Sequence, residues 1–129
     1  MQRRRLARTL ATAVALTPGV VLAEGGIFTQ DVLPILNSQC VMCHIAGAEL
    51  GGLTLYPDAW QSLVGIASIE SPLKRVEPGE PGKSYLYLKL MGTQESAGGS
   101  GLRMPPTQPL EPAQLETIRQ WIERGAKSD

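Results

Sequence analysis

Residues 40–44 read CVMCH, and this short stretch decides how the rest of the chain is interpreted. It contains both cysteines and the only histidine of the 129 residues. Two cysteines at this spacing serve as a redox pair, as two ligands of a zinc ion, or as covalent attachment points for a haem whose iron the next histidine binds. The neighbouring sequence has to distinguish these uses.

The neighbouring sequence favours haem attachment. A thioredoxin-like redox pair follows a strand in a βαβ unit, whereas the residues around the motif predict helix and loop. A structural zinc site needs four ligands, and the chain has no cysteine or histidine beyond Cys40, Cys43 and His44. We therefore predict that Cys40 and Cys43 bind one haem covalently and that His44 is the proximal ligand of its iron. A structural disulfide or a redox pair remains the alternative.

The first 23 residues have the form of a secretory signal peptide. Arginines cluster among the first eight residues, an apolar stretch follows, and small side chains surround Ala23. The apolar stretch is interrupted and shorter than the about 20 residues that a membrane span needs. We therefore predict a signal peptide over residues 1–23 and one exported, periplasmic domain over residues 24–129, with no integral membrane segment after cleavage. Covalent haem attachment takes place outside the cytoplasm, which agrees with this prediction.

Charge and composition limit the function classes. Four of the twelve basic residues lie in the predicted signal peptide, so eight remain against twelve acidic residues, a formal charge of −4. This balance excludes a nucleic-acid binder by charge. Aromatic residues make up only 5% of the chain, so the core is small, and a bound haem can replace the missing aromatic side chains.

The pattern of apolar residues predicts a small all-α domain. Apolar residues recur at helical spacing from Phe28 to Leu36, and Thr29 or Asp31 is placed to cap that first helix. A polar, glycine-rich segment from Thr93 to Leu102 predicts a mobile loop. Three further helices are predicted over residues 57–65, 84–92 and 112–125.

The second axial ligand of the iron separates an electron carrier from a protein that binds gas or peroxide. Met1 belongs to the signal peptide, Met42 lies inside the attachment loop, and Met91 lies on an apolar helix face, where core packing is its ordinary role. Met104 lies in RMPP, where two prolines hold the chain extended and present the thioether rigidly. We predict Met104 as the distal iron ligand; the alternative is that it covers apolar surface.

Several polar side chains are candidates for contacts with the haem propionates, with packing or surface charge as the alternative role. These candidates are Tyr56, Trp60, Lys74, Arg75, Tyr85, Tyr87 and Arg103.

With these motifs in this order, the chain resembles the class I c-type cytochromes, and more narrowly the short single-haem cytochrome c domains of exported bacterial proteins. The resemblance implies thioether bonds at Cys40 and Cys43 and axial ligation by His44 and Met104. It further implies an all-α cytochrome c-like domain wrapped around one haem c, with the first and last helices in contact. The matching segments are DVLPIL (31–36), CVMCH (40–44), GGLTL (51–55), PGEPGKSYLYLKL (78–90), RMPP (103–106) and WIERGA (121–126).

Together these expectations describe a periplasmic mono-haem c-type cytochrome, an electron-transfer protein and not an enzyme. Its partners would be redox proteins, such as a periplasmic oxidoreductase or a terminal oxidase. The alternative is a haem-based gas sensor or a peroxidase-like protein, in which a mobile loop before Met104 lets the sixth ligand move away.

Overall fold

The computed structural model describes residues 26–45 and 50–129, so the predicted signal peptide lies outside the described residues. Within these ranges the fold is all-α, as predicted, with isolated β-bridges and no sheet. Single 3₁₀ turns occur at Leu50–Gly52, Pro81–Lys83 and Gln94–Ala97. The helices are α1, a π-helical turn Phe28–Val32 continued by Leu33–Gln39; α2, Ala59–Leu63; α3, Tyr85–Met91; and α4, Pro112–Glu123.

The start of α1 differs from the prediction, because neither Thr29 nor Asp31 caps the helix. Instead, the carboxylate of Asp129 accepts hydrogen bonds from the backbone N–H of Thr29, at 3.2 Å, and from its hydroxyl. Pro34 has no N–H to donate, and the chain is π-helical just before it, with the Leu33 N–H bonded to the Phe28 carbonyl. A contact between opposite ends of the domain therefore replaces the local cap.

The first and last helices pack together through aromatic side chains. The ring centroids of Phe28 and Trp121 are 5.2 Å apart, which confirms the contact that the resemblance implied. The indole N–H of Trp121 donates to the Lys127 carbonyl at 2.9 Å, and that of Trp60 donates to the Ala126 carbonyl at 2.8 Å. Because the buried indole of Trp121 and the partly buried indole of Trp60 each have a hydrogen-bond partner, α1, α2 and the end of the chain are joined around one apolar core.

The cap of α2 is local and gives a stability prediction. Asp58 Oδ1 accepts a hydrogen bond from the Gln61 N–H at 3.1 Å, which satisfies one free donor of the first turn. We expect Asp58→Ala to lower the free energy of unfolding by about 1 kcal/mol, and Asp58→Asn to retain most of the parent stability. Urea unfolding of the purified protein measures both variants, and an alanine variant as stable as the parent would contradict the assignment.

Helix α3 ends as predicted at Gly92, which has a φ of +75°. The segment that follows, predicted to be a mobile loop, is instead held by hydrogen bonds. Gln94 is buried and its Nε2 donates to the Gly101 carbonyl at 2.7 Å, while the Ser71 hydroxyl donates to the Ala97 carbonyl at 2.7 Å. Among the helices that the structure describes, none has both the length and the apolar character needed to cross a membrane.

Candidate functional site

A cavity of about 780 Å³ lies between α1, α2, α3 and residues 101–108. Its volume falls in the range of about 300–1,000 Å³ that small-molecule and cofactor sites occupy. The four side chains predicted to hold the haem all line it: Cys40, Cys43, His44 and Met104. Most of the wall is apolar, and leucine is its commonest residue, with Leu36, Leu53, Leu55, Leu63, Leu86, Leu90 and Leu102.

The two cysteines and the histidine follow directly on α1. The Cys40 N–H bonds to the Leu36 carbonyl at 2.9 Å, and the N–H groups of Cys43 and His44 both bond to the Cys40 carbonyl at 3.1 Å. This continued turn brings residues three and four apart to the same side of the chain. The helix thus delivers all three side chains to the edge of the cavity.

Both thiols are free, and that of Cys40 is not activated. Burial, with a further contribution from Cys43, raises the pKa of Cys40 to about 11. A redox or nucleophilic cysteine has the opposite property, a lowered pKa that makes it a thiolate near neutral pH. In this environment the Cys40 thiol stays protonated at neutral pH.

The ring of His44 is oriented by a backbone group. His44 Nδ1 lies 3.2 Å from the Leu53 carbonyl oxygen. A carbonyl only accepts hydrogen bonds, so Nδ1 carries the proton and Nε2 keeps its lone pair for a metal ion. Such a contact on the second nitrogen fixes the ring of a metal-binding histidine. The sequence could not identify this partner, because any residue can supply a carbonyl.

Met104 is distinguished from the other described methionines by its position. It is half-buried, packs against the core and lines the cavity, and its N–H donates to the Lys89 carbonyl at 3.0 Å. Met42 also lines the cavity but is 92% exposed, and Met91 is 46% exposed at the end of α3. Of the three described methionines, Met104 is thus the one that both packs against the core and lines the cavity.

The structure separates the candidates for propionate contacts. Arg75 and Tyr85 line the cavity, and Arg75 also donates to the Ser62 carbonyl at 2.8 Å and to the Gly52 carbonyl at 2.9 Å. Lys74 is engaged elsewhere, in an ion pair with Glu77 at 2.8 Å. The indole of Trp60 is bonded to the end of the chain, as described above, and Tyr56, Tyr87 and Arg103 contribute no side chain to the described wall.

Sequence analysis missed a polar cluster on the cavity wall, formed by Glu70, Tyr85 and Lys89. The Tyr85 hydroxyl donates to Glu70 Oε2 at 3.3 Å, and Lys89 Nζ lies 3.9 Å from the same oxygen. Burial and the neighbouring Glu70 carboxylate raise the pKa of Tyr85, so its hydroxyl stays protonated and donates. The spacing of Tyr85 and Lys89, four residues apart in α3, was a usable signal; nothing local connects Glu70 to them.

Two further observations, on groups of metal-binding side chains and on similarity to known proteins, assign no function to the cavity. Within residues 26–45 and 50–129, no group of three or more His, Cys, Asp or Glu side chains could hold a metal ion. Comparison with known proteins found no matching family model, no matching curated protein and no matching solved structure.

Proposed function

We propose that this chain is a periplasmic mono-haem c-type cytochrome that carries one electron at a time. Cys40 and Cys43 would hold haem c covalently, and His44 and Met104 would bind its iron. The observation that supports the proposal most strongly is that all four side chains line one mostly apolar cavity. When bound, the haem supplies the one-electron couple between ferric and ferrous iron.

The residues of the cavity suit this group in three respects. The Leu53 carbonyl orients His44 and keeps Nε2 available. The mostly apolar wall lowers the local dielectric constant, which strengthens electrostatic interactions beside it. A thioether from Met104 favours ferrous over ferric iron and so raises the reduction potential. These properties suit a carrier on the oxidising side of an electron-transfer chain, with an oxidoreductase or a terminal oxidase as its redox partner.

The contacts before Met104 favour the carrier over a gas sensor or a peroxidase-like protein. The alternative needs a sixth ligand that leaves readily. Here Gln94 is bonded to Gly101, Lys89 Nζ to the Ser100 carbonyl at 2.5 Å, and the Met104 N–H to the Lys89 carbonyl. A segment held at these points keeps Met104 in place, as a closed electron-transfer site requires.

Optical spectra of the protein, matured with haem in a bacterial periplasm, test the proposal. We expect haem that stays with the chain on a denaturing gel, a weak far-red sulfur-to-iron charge-transfer band in the ferric form, and a ferrous form that does not react with carbon monoxide. Matured protein without covalent haem would refute the proposal. Covalent haem with no far-red band and immediate carbon monoxide binding would instead favour the sensor or catalyst.

A further inference from the structure

The polar cluster of Glu70, Tyr85 and Lys89 lies on the cavity wall, beside the segment that leads to Met104. Tyr85 and Lys89 are buried, with 5% and 9% of their surface exposed. An ammonium group at this depth needs partners to offset the loss of its hydration. Lys89 has two, the Glu70 carboxylate at 3.9 Å and the Ser100 carbonyl at 2.5 Å. The second partner connects the cluster to the segment before Met104.

Tyr85 contacts the same segment. The Ser100 backbone lies beside the Tyr85 hydroxyl, and that hydroxyl donates to Glu70. Gly99 packs so closely on the tyrosine that a β-carbon at this position would clash with the hydroxyl group. The cluster thus holds this segment at two adjacent residues, because Tyr85 packs on Gly99 and Lys89 binds the Ser100 carbonyl.

Lys89 also holds the far end of this segment. Its side chain binds the Ser100 carbonyl, and its own carbonyl accepts the hydrogen bond from the Met104 N–H at 3.0 Å. The short stretch between Ser100 and Met104 is therefore attached at both ends to one residue of α3. Because few backbone dihedrals remain free between these two points, the position of the methionine depends on the cluster.

We propose that Glu70, Tyr85 and Lys89 are positioning residues that hold residues 99–104 against α3 and thereby keep the Met104 thioether at the cavity. This inference rests on the proposed function, since it assigns these residues to the ligation of the haem iron. It predicts that loss of one contact of the cluster increases the fraction of molecules in which Met104 is displaced, without removing the ligand itself.

Imidazole binding to the ferric, haem-loaded protein measures that fraction, because imidazole reaches the iron only where Met104 has left. Tyr85→Phe removes one hydroxyl and keeps the ring, and Lys89→Met removes the ammonium group but keeps the backbone carbonyl. We expect imidazole to bind each variant about tenfold more tightly than it binds the parent. The loss of one buried hydrogen bond raises the population with displaced Met104 about tenfold, and the apparent affinity rises in proportion to that population. The far-red band without imidazole should persist in both.

Two controls separate positioning from general destabilisation. Tyr87→Phe removes a hydroxyl from the same helix and should leave imidazole binding at the parent value. Ile118→Val lowers overall stability through the core of α4, away from the cluster, and should also leave it unchanged. Hydrogen exchange of the Met104 amide provides a direct structural readout, and should be faster in Tyr85→Phe and Lys89→Met than in either control.

The outcomes distinguish this inference from the proposed function. If the parent protein has the far-red band but Tyr85→Phe and Lys89→Met bind imidazole like the parent, the positioning role is refuted and the proposed function stands. If they differ from the parent only as much as Ile118→Val does, the role is likewise refuted. If the parent binds no haem or lacks the band, both the proposed function and the positioning role fail.

Discussion

Replacement of Met104 by alanine in the haem-loaded protein is expected to abolish the far-red band and to lower the reduction potential. The drop should be on the order of 100 mV, within the about 0.8 V range over which axial ligands set haem potentials. The cause is the loss of the thioether, which favours ferrous iron. Carbon monoxide should then bind the ferrous form within the mixing time, because the sixth position is no longer closed. Potentiometric titration and stopped-flow absorbance measure these effects.

Met91→Ala is the matched control for this experiment. This variant also removes a thioether from the protein. Met91, however, is 46% exposed at the end of α3, whereas Met104 lines the cavity. The control should keep the band, the potential and the slow response to carbon monoxide. If Met104→Ala also keeps them, Met104 is not the ligand and its role is the apolar covering considered as the alternative. If only Met91→Ala loses them, the choice between the two methionines was wrong.

The proximity of Cys40, Cys43 and His44 could be predicted from sequence because these residues form a short local motif. Cys40, Cys43 and His44 lie within one turn, so their proximity follows from spacing alone. The two prolines after Met104 predicted an extended backbone, whereas residues 104–108 bend and the Met104–Pro105 peptide bond is cis. Helix α3 could be predicted from a local signal, since Gly92 marks its end.

The features that sequence analysis missed depend on contacts between distant segments. The cap of α1 comes from Asp129, the partner of His44 is the backbone of Leu53, and Glu70 joins Tyr85 from an irregular loop. The partners in these pairs lie at no characteristic distance from each other along the sequence. In one pair the partner is a backbone carbonyl, a group that every residue has. The segment around Gln94 was predicted to be mobile because its composition is polar, but polar side chains that turn inward can hold a loop as firmly as apolar ones.

The double variant Cys40→Ala/Cys43→Ala should lose all covalently bound haem and most of its stability. Without thioether bonds the haem is held only by ligation and packing, so it should separate from the chain on a denaturing gel. A domain that loses the group also loses contacts along the mostly apolar wall. We therefore expect the urea midpoint of the double variant to fall well below that of the haem-loaded parent.

Met42→Ala serves as the control, because Met42 belongs to the same loop and lines the cavity but has no part in attachment. It should keep covalent haem, and its urea midpoint should stay close to that of the parent. Thiol titration of the unfolded parent adds a check on the disulfide alternative: thioether bonds leave no reactive thiol even after reduction, whereas a disulfide releases two. Two thiols after reduction, or covalent haem in the double variant, would show that Cys40 and Cys43 do not hold the haem, and the cavity would then need another occupant.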